Sequence, residues 1–256
     1  HFFVCLGLFL YFCIINDCFN MKKKNLLLLC MLGCSAISQA AYQGRVYVDA
    51  NRNGQYDKGE KLLKNVCVSD GLNVVKTAAD GTFSLPGFKN ERFIFITTPS
   101  GYQTDNKHYQ RITGSERSYD LGVQPLQGYI APDGSHQYLH IADTEIFNTI
   151  NQEDWANEMR DLAANEKVAF MVHTGDICYE NGLKNHIKLM NTSNMGCPVF
   201  YCLGNHDLVK GKYGEELFES IYGPVYYSFD FGSTHYVVTP MWGGDHAPGF
   251  RREDVI

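Results

Sequence analysis

Three groups of side chains that can bind metal ions occur in the second half of the chain, each within a few residues of the end of a short apolar run. The runs cover residues 138–142, 168–172 and 198–203. The polar residues that follow them are Asp143, Glu145, Asp176, Asn205, His206 and Asp207. Carboxylate and amide oxygens are ligands for divalent cations, and an imidazole beside a carboxylate can transfer protons. These residue types therefore indicate metal binding combined with acid–base chemistry.

The three runs are predicted to be parallel strands joined by helices. Residues 151–165 place Trp155, Met159 and Leu162 on one helical face, and residues 181–191 form a second helical stretch. Each polar group follows the previous one after roughly thirty residues, the length of one βα unit. Parallel strands end at a common edge, where α/β proteins bind ligands, so this βαβαβ order would bring the three groups together.

The order of the motifs resembles the pattern of the calcineurin-like metallophosphoesterases, which is D-x-H/Q, then GD, then GNH-D/E. The matching motifs here are Asp143-Thr144-Glu145, Gly175-Asp176 and Gly204-Asn205-His206-Asp207. Residues 225–239 also resemble the hairpin that follows the third motif in that family. The resemblance covers residues 137–256 and implies a layered α/β domain. It implies hydrolysis of a phosphoester substrate at a site with two divalent metal ions.

The resemblance also implies which residues hold the metals. Asp143 and Glu145 would bind the first ion, Asp176 would bridge both, and Asn205 would offer its carbonyl oxygen to the second. Glu145 stands where the family usually has His or Gln. A carboxylate makes the first site harder and more anionic, which favours manganese, iron or magnesium over zinc.

The third motif supplies the implied proton donor. His206 would protonate the leaving alkoxide or steady the phosphate, and Asp207 would orient it. The family's later histidine ligands, including a Gly-His-x-His motif, do not occur before Ile256. We therefore expect residues 138–256 to be only the N-terminal part of the phosphoesterase domain, with an incomplete ligand set.

Residues 41–126 are predicted to form a small all-β sandwich, because short alternating runs stand between turn residues. The Pro- and Gly-rich stretch 122–137 indicates a linker, whose bounds we place at 127–137. The first half, together with an export signal, resembles the N-terminal module of secreted bacterial phosphoesterases.

Residues 49–60 match a twelve-residue calcium loop. The diagnostic residues are Asp49, Asn51, Asn53, Gly54, Asp57 and Glu60. Strands are expected on either side of it, so the loop resembles those of bacterial surface modules and is not an EF-hand. A metal-free turn is the alternative. Glu60, which a turn does not need, favours calcium.

Residues 1–40 are interpreted as lying outside the mature protein. The first methionine is Met21, so we interpret residues 1–20 as translated from sequence upstream of the coding region. Residues 21–40 have the lysines, apolar stretch and small residues of a signal peptide. The expected location is the periplasm or the extracellular space. Lipidation of Cys34 is the alternative, and it would attach the protein to a membrane.

Composition indicates a globular protein and argues against non-specific binding of nucleic acid. A net charge of −6 with 45% hydrophobic residues indicates a globular protein without a basic surface for nucleic acid. Four cysteines follow the leader and are expected to be buried free thiols: Cys67, Cys178, Cys197 and Cys202. For Cys178, which follows Asp176 by two residues, the alternative is binding of a soft metal, and packing is the preferred interpretation. Among the histidines, His140 and His173 are expected in or near the core, His235 in a structural role, and His246 in a solvated loop.

The alternative to an enzyme is a non-catalytic module that binds the cell envelope or glycans and has a degenerate or truncated phosphoesterase domain. The metal content of the protein distinguishes the enzyme hypothesis from the binding-module hypothesis. A dinuclear transition-metal content favours the enzyme, whereas calcium alone favours the binding module.

Overall fold

The computed structural model describes residues 42–88, 91–114, 118–210 and 214–239. The predicted signal peptide at residues 21–40, Cys34 and His246 lie outside these residues. Among the helices described, none combines the length and the apolar character needed to span a bilayer.

The described residues between 42 and 125 form eight strands in two four-stranded sheets. The strands are β1 (Tyr42–Val48), β2 (Cys67–Ser69), β3 (Val74–Lys76), β4 (Thr82–Leu85), β5 (Phe93–Ile96), β6 (Tyr102–Gln103), β7 (Tyr109–Arg111) and β8 (Ser118–Pro125). One sheet has the order β4-β1-β8-β6 and the other β3-β2-β5-β7. β1 and β8 run parallel, with Val46 opposite Leu121, and the remaining pairs are antiparallel.

Alternation of apolar and polar residues places one face of each sheet in a shared core. In β8, Tyr119, Leu121 and Val123 are buried, while Asp120 between them is half-buried. The same core contains side chains from both sheets, including Val46, Val68, Phe83, Ile94 and Ile96. Burial of such side chains contributes about 1.5–3 kcal/mol each, which is what holds short strands together.

The Pro- and Gly-rich stretch 122–137 begins inside a strand, and only its later part matches the bounds 127–137 placed on the linker. Residues 122–125 belong to β8, where Gly122 pairs with Tyr47 of β1. Glycine is needed there because a Cβ atom at Gly122 would lie 3.0 Å from the Tyr47 ring. Residues 127–137 contain neither helix nor strand, although Leu126 and Ile130 pack against aromatic residues of the second half.

The second half is a mixed α/β arrangement, as predicted. Its elements are β9 (Tyr138–Ile141), α1 (Glu153–Asn165), β10 (Phe170–His173), α2 (Tyr179–Leu189), α3 (Thr192–Met195), β11 (Val199–Tyr201), a 3-10 turn (Asn205–Asp207), α4 (Glu216–Tyr222), β12 (Tyr227–Phe231) and β13 (Thr234–Val238). β9, β10 and β11 form a parallel sheet in the order β11-β10-β9. The predicted βαβαβ order is therefore confirmed, and β12 and β13 form the expected hairpin.

Helix α1 packs part of the predicted face against the core. Trp155 and Met159 pack against the main apolar cluster, and Ala156 and Ala163, seven residues apart, are buried beside them. Leu162, which lies on the same helical face as Trp155 and Met159, is 39% exposed. The buried side of the helix therefore includes the two alanines and does not extend to Leu162.

The hairpin connects the two halves through an aromatic cluster. Phe229 of β12 stacks on Phe200 of β11 with ring centres 3.6 Å apart, and Phe95 of β5 packs against the same cluster. The backbone N–H of Asp230 donates to the Thr98 carbonyl at 2.9 Å. Both faces of β5 are consequently covered, which explains its continuous apolar sequence.

Candidate metal centre

The three motifs follow the three parallel strands and are joined by backbone hydrogen bonds. The Asp143 N–H donates to the Gly175 carbonyl at 3.2 Å, and the Thr174 N–H donates to the Ile141 carbonyl at 2.9 Å. These bonds continue the strand ladder beyond the ends of β9 and β10. The sheet therefore fixes the first and second motifs side by side at its carboxyl edge.

Two glycines bring the second and third motifs into direct contact. A Cβ atom on Gly175 would lie 2.5 Å from the Gly204 Cα, and one on Gly204 would overlap the backbone N of Asp176. Any larger residue would push the loops apart. With the loops in contact, the His206 N–H donates to Asp176 Oδ1 at 3.1 Å.

Five non-glycine residues of the first and second motif loops have a left-handed backbone. They are Asp143 (φ 52°), Glu145 (φ 46°), Asp176 (φ 52°), Cys178 (φ 73°) and Tyr179 (φ 55°). Such conformations cost about 1–3 kcal/mol each, and they persist only where surrounding structure imposes them. Their concentration here indicates that the loops are shaped to direct side chains, because strained backbone of this kind clusters at functional sites.

Three donor atoms of different chemical type meet between the loops. Glu145, Cys178 and His206 offer one oxygen, one sulfur and one nitrogen that all lie within 4.8 Å of one another. Cys178 Sγ is 3.6 Å from Glu145 Oε1 and 3.7 Å from His206 Nδ1. Asp176 Oδ2 is 4.0 Å from His206 Nδ1. This separation is the one expected of side chains that share a cation.

The electrostatic environment of this cluster is strongly negative. Burial, followed by the charge of the Glu145 carboxylate, raises the pKa of the Cys178 thiol to about 12. Burial also raises the pKa of the Asp207 carboxyl group to about 6. A cation placed here would be attracted by the carboxylates of Glu145, Asp176 and Asp207, whose charges contribute to the raised pKa of the Cys178 thiol.

Asp207 makes contacts different from those expected. Its side chain is fully buried, and its oxygens accept the backbone N–H groups of Gly204 and Cys178, each at 2.9 Å. It thus clamps the second motif to the third, and the expected contact with the His206 ring is not among its contacts in the described part of the chain. The ring instead stacks on Tyr179, with centres 5.7 Å apart and planes 12° from parallel.

The remaining predicted ligands lie at the same edge. Asp143 is exposed and Asn205 is half-buried at the start of the 3-10 turn. Within the described residues, their side chains form no hydrogen bond with the cluster. Tyr179 was not predicted to be a site residue, and Cys178 was considered as a metal ligand only as the alternative to packing. The signal available was their position, two and three residues after Asp176.

A buried histidine supports the first motif from beneath. His173 is 1% exposed, its Nε2 is 3.0 Å from Thr144 Oγ1, and its Nδ1 accepts the Gly175 N–H at 3.3 Å. An accepting Nδ1 leaves the proton on Nε2, so the neutral ring donates to Thr144. Burial lowers the pKa of His173 to about 4, which keeps it neutral.

Of the other histidines that the structure describes, His140 is more exposed than expected. The core position of His173 is confirmed, but His140 is exposed because β9 is the edge strand, and its Nε2 lies 2.8 Å from Thr174 Oγ1. His235 Nδ1 pairs with Asp230 Oδ1 across the hairpin at 2.6 Å. The four described cysteines are free, and of these Cys178 and Cys197 are buried.

The calcium-type loop lies apart from this centre, after β1. Asp49 is 2% exposed, and its two carboxylate oxygens accept the N–H groups of Asn53 and Gly54 at 3.1 and 2.9 Å. Glu60 accepts the N–H groups of Ala50 and Asp57 at 3.0 and 2.9 Å. The loop is therefore closed between its first and last acidic residues.

The side chains between these two ends converge on one carboxylate. The amide groups of Asn51 and Asn53 both donate to Asp57 Oδ2 at 2.7 Å. Burial, then the charges of Asp49 and Glu60, raise the pKa of Tyr47 to about 12. The predicted ligand residues are thus close together and surround a negative region.

Comparison with known proteins agrees with the geometry. Two family models match the chain: the N terminal of Calcineurin-like phosphoesterase at residues 50–125, and Calcineurin-like phosphoesterase at residues 136–251. The chain belongs to the calcineurin-like phosphoesterase family, which confirms the resemblance of the three motifs. The second half of the chain matches the phosphoesterase domain of this family, and phosphoesterases hydrolyse phosphoesters.

Purple acid phosphatase 4 of Arabidopsis thaliana is 31% identical over 85 residues, which is 30% of this chain and 25% of that protein. The chain therefore spans about a quarter of the length of this curated relative. No solved structure matches the chain significantly.

Proposed function

We propose that the protein hydrolyses a phosphoester at a divalent-metal centre on the carboxyl edge of the β9–β10–β11 sheet. The observation that carries this proposal is the meeting of the three motifs, with the donor atoms of Glu145, Cys178 and His206 within 4.8 Å of one another. The family match and the phosphatase relative agree with it.

The donor set fits divalent cations. Asp143, Glu145 and Asp176 supply carboxylate oxygens and Asn205 an amide oxygen, all at one edge, in a region whose negative charge is not balanced by a nearby Lys or Arg contact in the described residues. We propose that these four residues hold two metal ions, with Asp176 between them. When bound, the ions would polarise the phosphoryl oxygens and acidify water.

The chain's own residues would position the substrate and move the proton. His206 is partly exposed, so its ring can reach a leaving oxygen, and its backbone is held by Asp176 Oδ1. The Tyr179 ring, 52% exposed, covers one face of the imidazole and restricts its rotation. We propose that His206 protonates the leaving alkoxide.

Substitution of Asp176 tests the proposal. Asp176→Asn keeps the size of the side chain but removes the charge that lets one group serve two cations. We expect hydrolysis of p-nitrophenyl phosphate to be lost and the bound metal per chain to fall. Asp230→Asn, which changes a half-buried hairpin carboxylate that pairs with His235, is the matched control and should leave both unchanged. Unaltered turnover in Asp176→Asn would rule out the assignment.

We also propose that residues 49–60 bind calcium, through Asp49, Asn51, Asn53, Asp57 and Glu60. The support is the closed loop, in which both carboxylate oxygens of Asp49 and of Glu60 are already oriented by backbone N–H groups. A preoriented set of oxygens lowers the cost of ordering ligands around Ca²⁺.

A further inference from the structure

Cys178 directs its sulfur toward the metal-binding side chains instead of into the apolar core. It lies two residues after Asp176 with φ of 73°, and it directly precedes helix α2. Ile177 before it is buried in the main apolar cluster, whereas Cys178 Sγ is 3.6 Å from Glu145 Oε1 and 3.7 Å from His206 Nδ1. A cysteine that only filled space would have apolar neighbours.

The backbone at Cys178 is held by the same contact that joins the second and third motifs. The Cys178 N–H donates to Asp207 Oδ1 at 2.9 Å, and Asp207 also holds the Gly204 N–H. A buried carboxylate therefore supports the left-handed backbone at Cys178. From this backbone position the side chain places its sulfur beside Glu145 and His206.

We propose that Cys178 is a thiolate ligand of a cation in this centre, together with Glu145 and with Nδ1 of His206, which leaves Nε2 of the same ring to carry the proton for the leaving alkoxide. The inference rests on the proposed metal-dependent function and deepens it, because it names a ligand that none of the three motifs contains. On binding, the S–H bond breaks as the metal–sulfur bond forms, and the proton passes by way of the exposed Glu145 carboxylate to water. In the metal-free protein the thiol donates to the Asp176 carbonyl at 3.3 Å.

A sulfur ligand changes the metal preference of the site. Glu145 alone favours hard cations, whereas a set of one sulfur, one nitrogen and one oxygen suits Zn²⁺, Co²⁺ and Cd²⁺. If Cys178 is bound, at least one position of the centre takes a thiophilic cation. This is opposite to the preference argued from Glu145.

The test is cobalt and cadmium binding to the protein and its cysteine variants. Co²⁺ bound to the unsubstituted protein should show sulfur-to-cobalt charge-transfer absorption, which Cys178→Ser and Cys178→Ala should lose. The affinity for Cd²⁺ should fall about 10- to 100-fold in both variants. A loss of this size is known for residues that only hydrogen-bond to a metal ligand, and removal of a ligand should cost at least as much. Mn²⁺ affinity should change far less, because manganese prefers oxygen.

Cys202→Ser is the matched control. Cys202 also follows a strand of the same sheet, but its side chain packs against the aromatic cluster, so its loss should leave the cobalt spectrum unchanged. Cadmium NMR of the unsubstituted protein distinguishes sulfur from oxygen-only ligation without any variant, which covers a failure of the Cys178 variants to fold.

The outcomes separate this inference from the proposed function. Cobalt bound without charge-transfer absorption, or absorption that persists in Cys178→Ser, would overturn the role of Cys178 and leave the metal-dependent function standing. Failure of the protein to bind any of the three cations would overturn both.

Discussion

A buried ion pair between the two halves makes stability depend on pH in a direction that the structure specifies. Arg92, just before β5, approaches two glutamates of the helix α4 region: its Nη2 is 2.9 Å from Glu219 Oε1 and 3.6 Å from Glu215 Oε2. Glu219 is 1% exposed, whereas Arg92 retains 28% of its side-chain exposure. The partly solvent-exposed guanidinium of Arg92 therefore faces two carboxylates, those of Glu215 and Glu219, that are shielded from solvent.

The magnitude follows from the pKa of Glu219. Burial raises it from 4.5 to about 7; Arg92 opposes the shift and Glu215 adds to it. At about 1.4 kcal/mol for each pH unit, the shift corresponds to roughly 3 kcal/mol. Since the folded protein binds the proton more tightly than the unfolded chain, this stability is fully present below about pH 4.5 and is lost as pH rises through about 7.

The assay is urea unfolding at about pH 5 and about pH 8, followed by fluorescence. The unsubstituted protein should lose up to roughly 3 kcal/mol between them from this group. Glu219→Gln has a side chain that stays neutral at both pH values. Its free energy of unfolding should therefore fall by up to roughly 3 kcal/mol less than that of the unsubstituted protein. Glu158→Gln, an exposed carboxylate on α1, should retain the dependence of the unsubstituted protein.

Arg92→Met provides the opposite perturbation. It removes the cation that favours ionised Glu219, so it should destabilise the protein more at the higher pH than at the lower one. An equal pH dependence in Glu219→Gln and the unsubstituted protein would refute the reasoning, because it would show that burial does not hold the proton on Glu219.

Three further predictions concern the loop, the motifs and the core. Calcium should raise the melting temperature of the protein, and the double change Asp57→Ala with Glu60→Ala should abolish that rise; an equal rise in both proteins would favour a metal-free turn. Gly204→Ala should cost about 1–3 kcal/mol and weaken cobalt binding, because the new methyl group overlaps the Asp176 backbone; unchanged binding would contradict the role of this contact. Tyr227→Phe should cost about 1–3 kcal/mol in urea unfolding, because its hydroxyl serves both a backbone N–H and a carbonyl of β11 at 2.9 Å, and a stability equal to that of the unsubstituted protein would contradict it.

The strands of the second half could be predicted because their periodicity is simple. Buried parallel strands appear as continuous apolar runs, and residues 168–172 indeed contain most of β10. The common edge of the sheet then follows from the order of elements. Helix α1 shows where the pattern fails, because Leu162 fits the helical spacing but is 39% exposed, whereas Ala163 beside it is buried.

The directions of side chains in the motif loops could not be predicted in the same way. Alternation along a strand ends where the strand ends, and after Asp176 the chain passes through left-handed residues. Cys178 consequently faces the cluster, although alternation alone does not say so. Arg92 and Glu219 are far apart in the sequence, and no pattern of neighbouring residues predicts that they pair.

Asp207 shows how a motif residue acquires its position from the backbone around it. The two glycines permit the second and third motifs to touch, but contact alone would leave the N–H groups of Gly204 and Cys178 without acceptors in a buried place. A carboxylate can accept both at once, which a neutral amide or hydroxyl side chain does less well. Satisfying these donors offsets part of the cost of the left-handed residues nearby. The residue type at position 207 is therefore explained by the geometry of the loops, and His206 and Cys178 are aligned as a consequence.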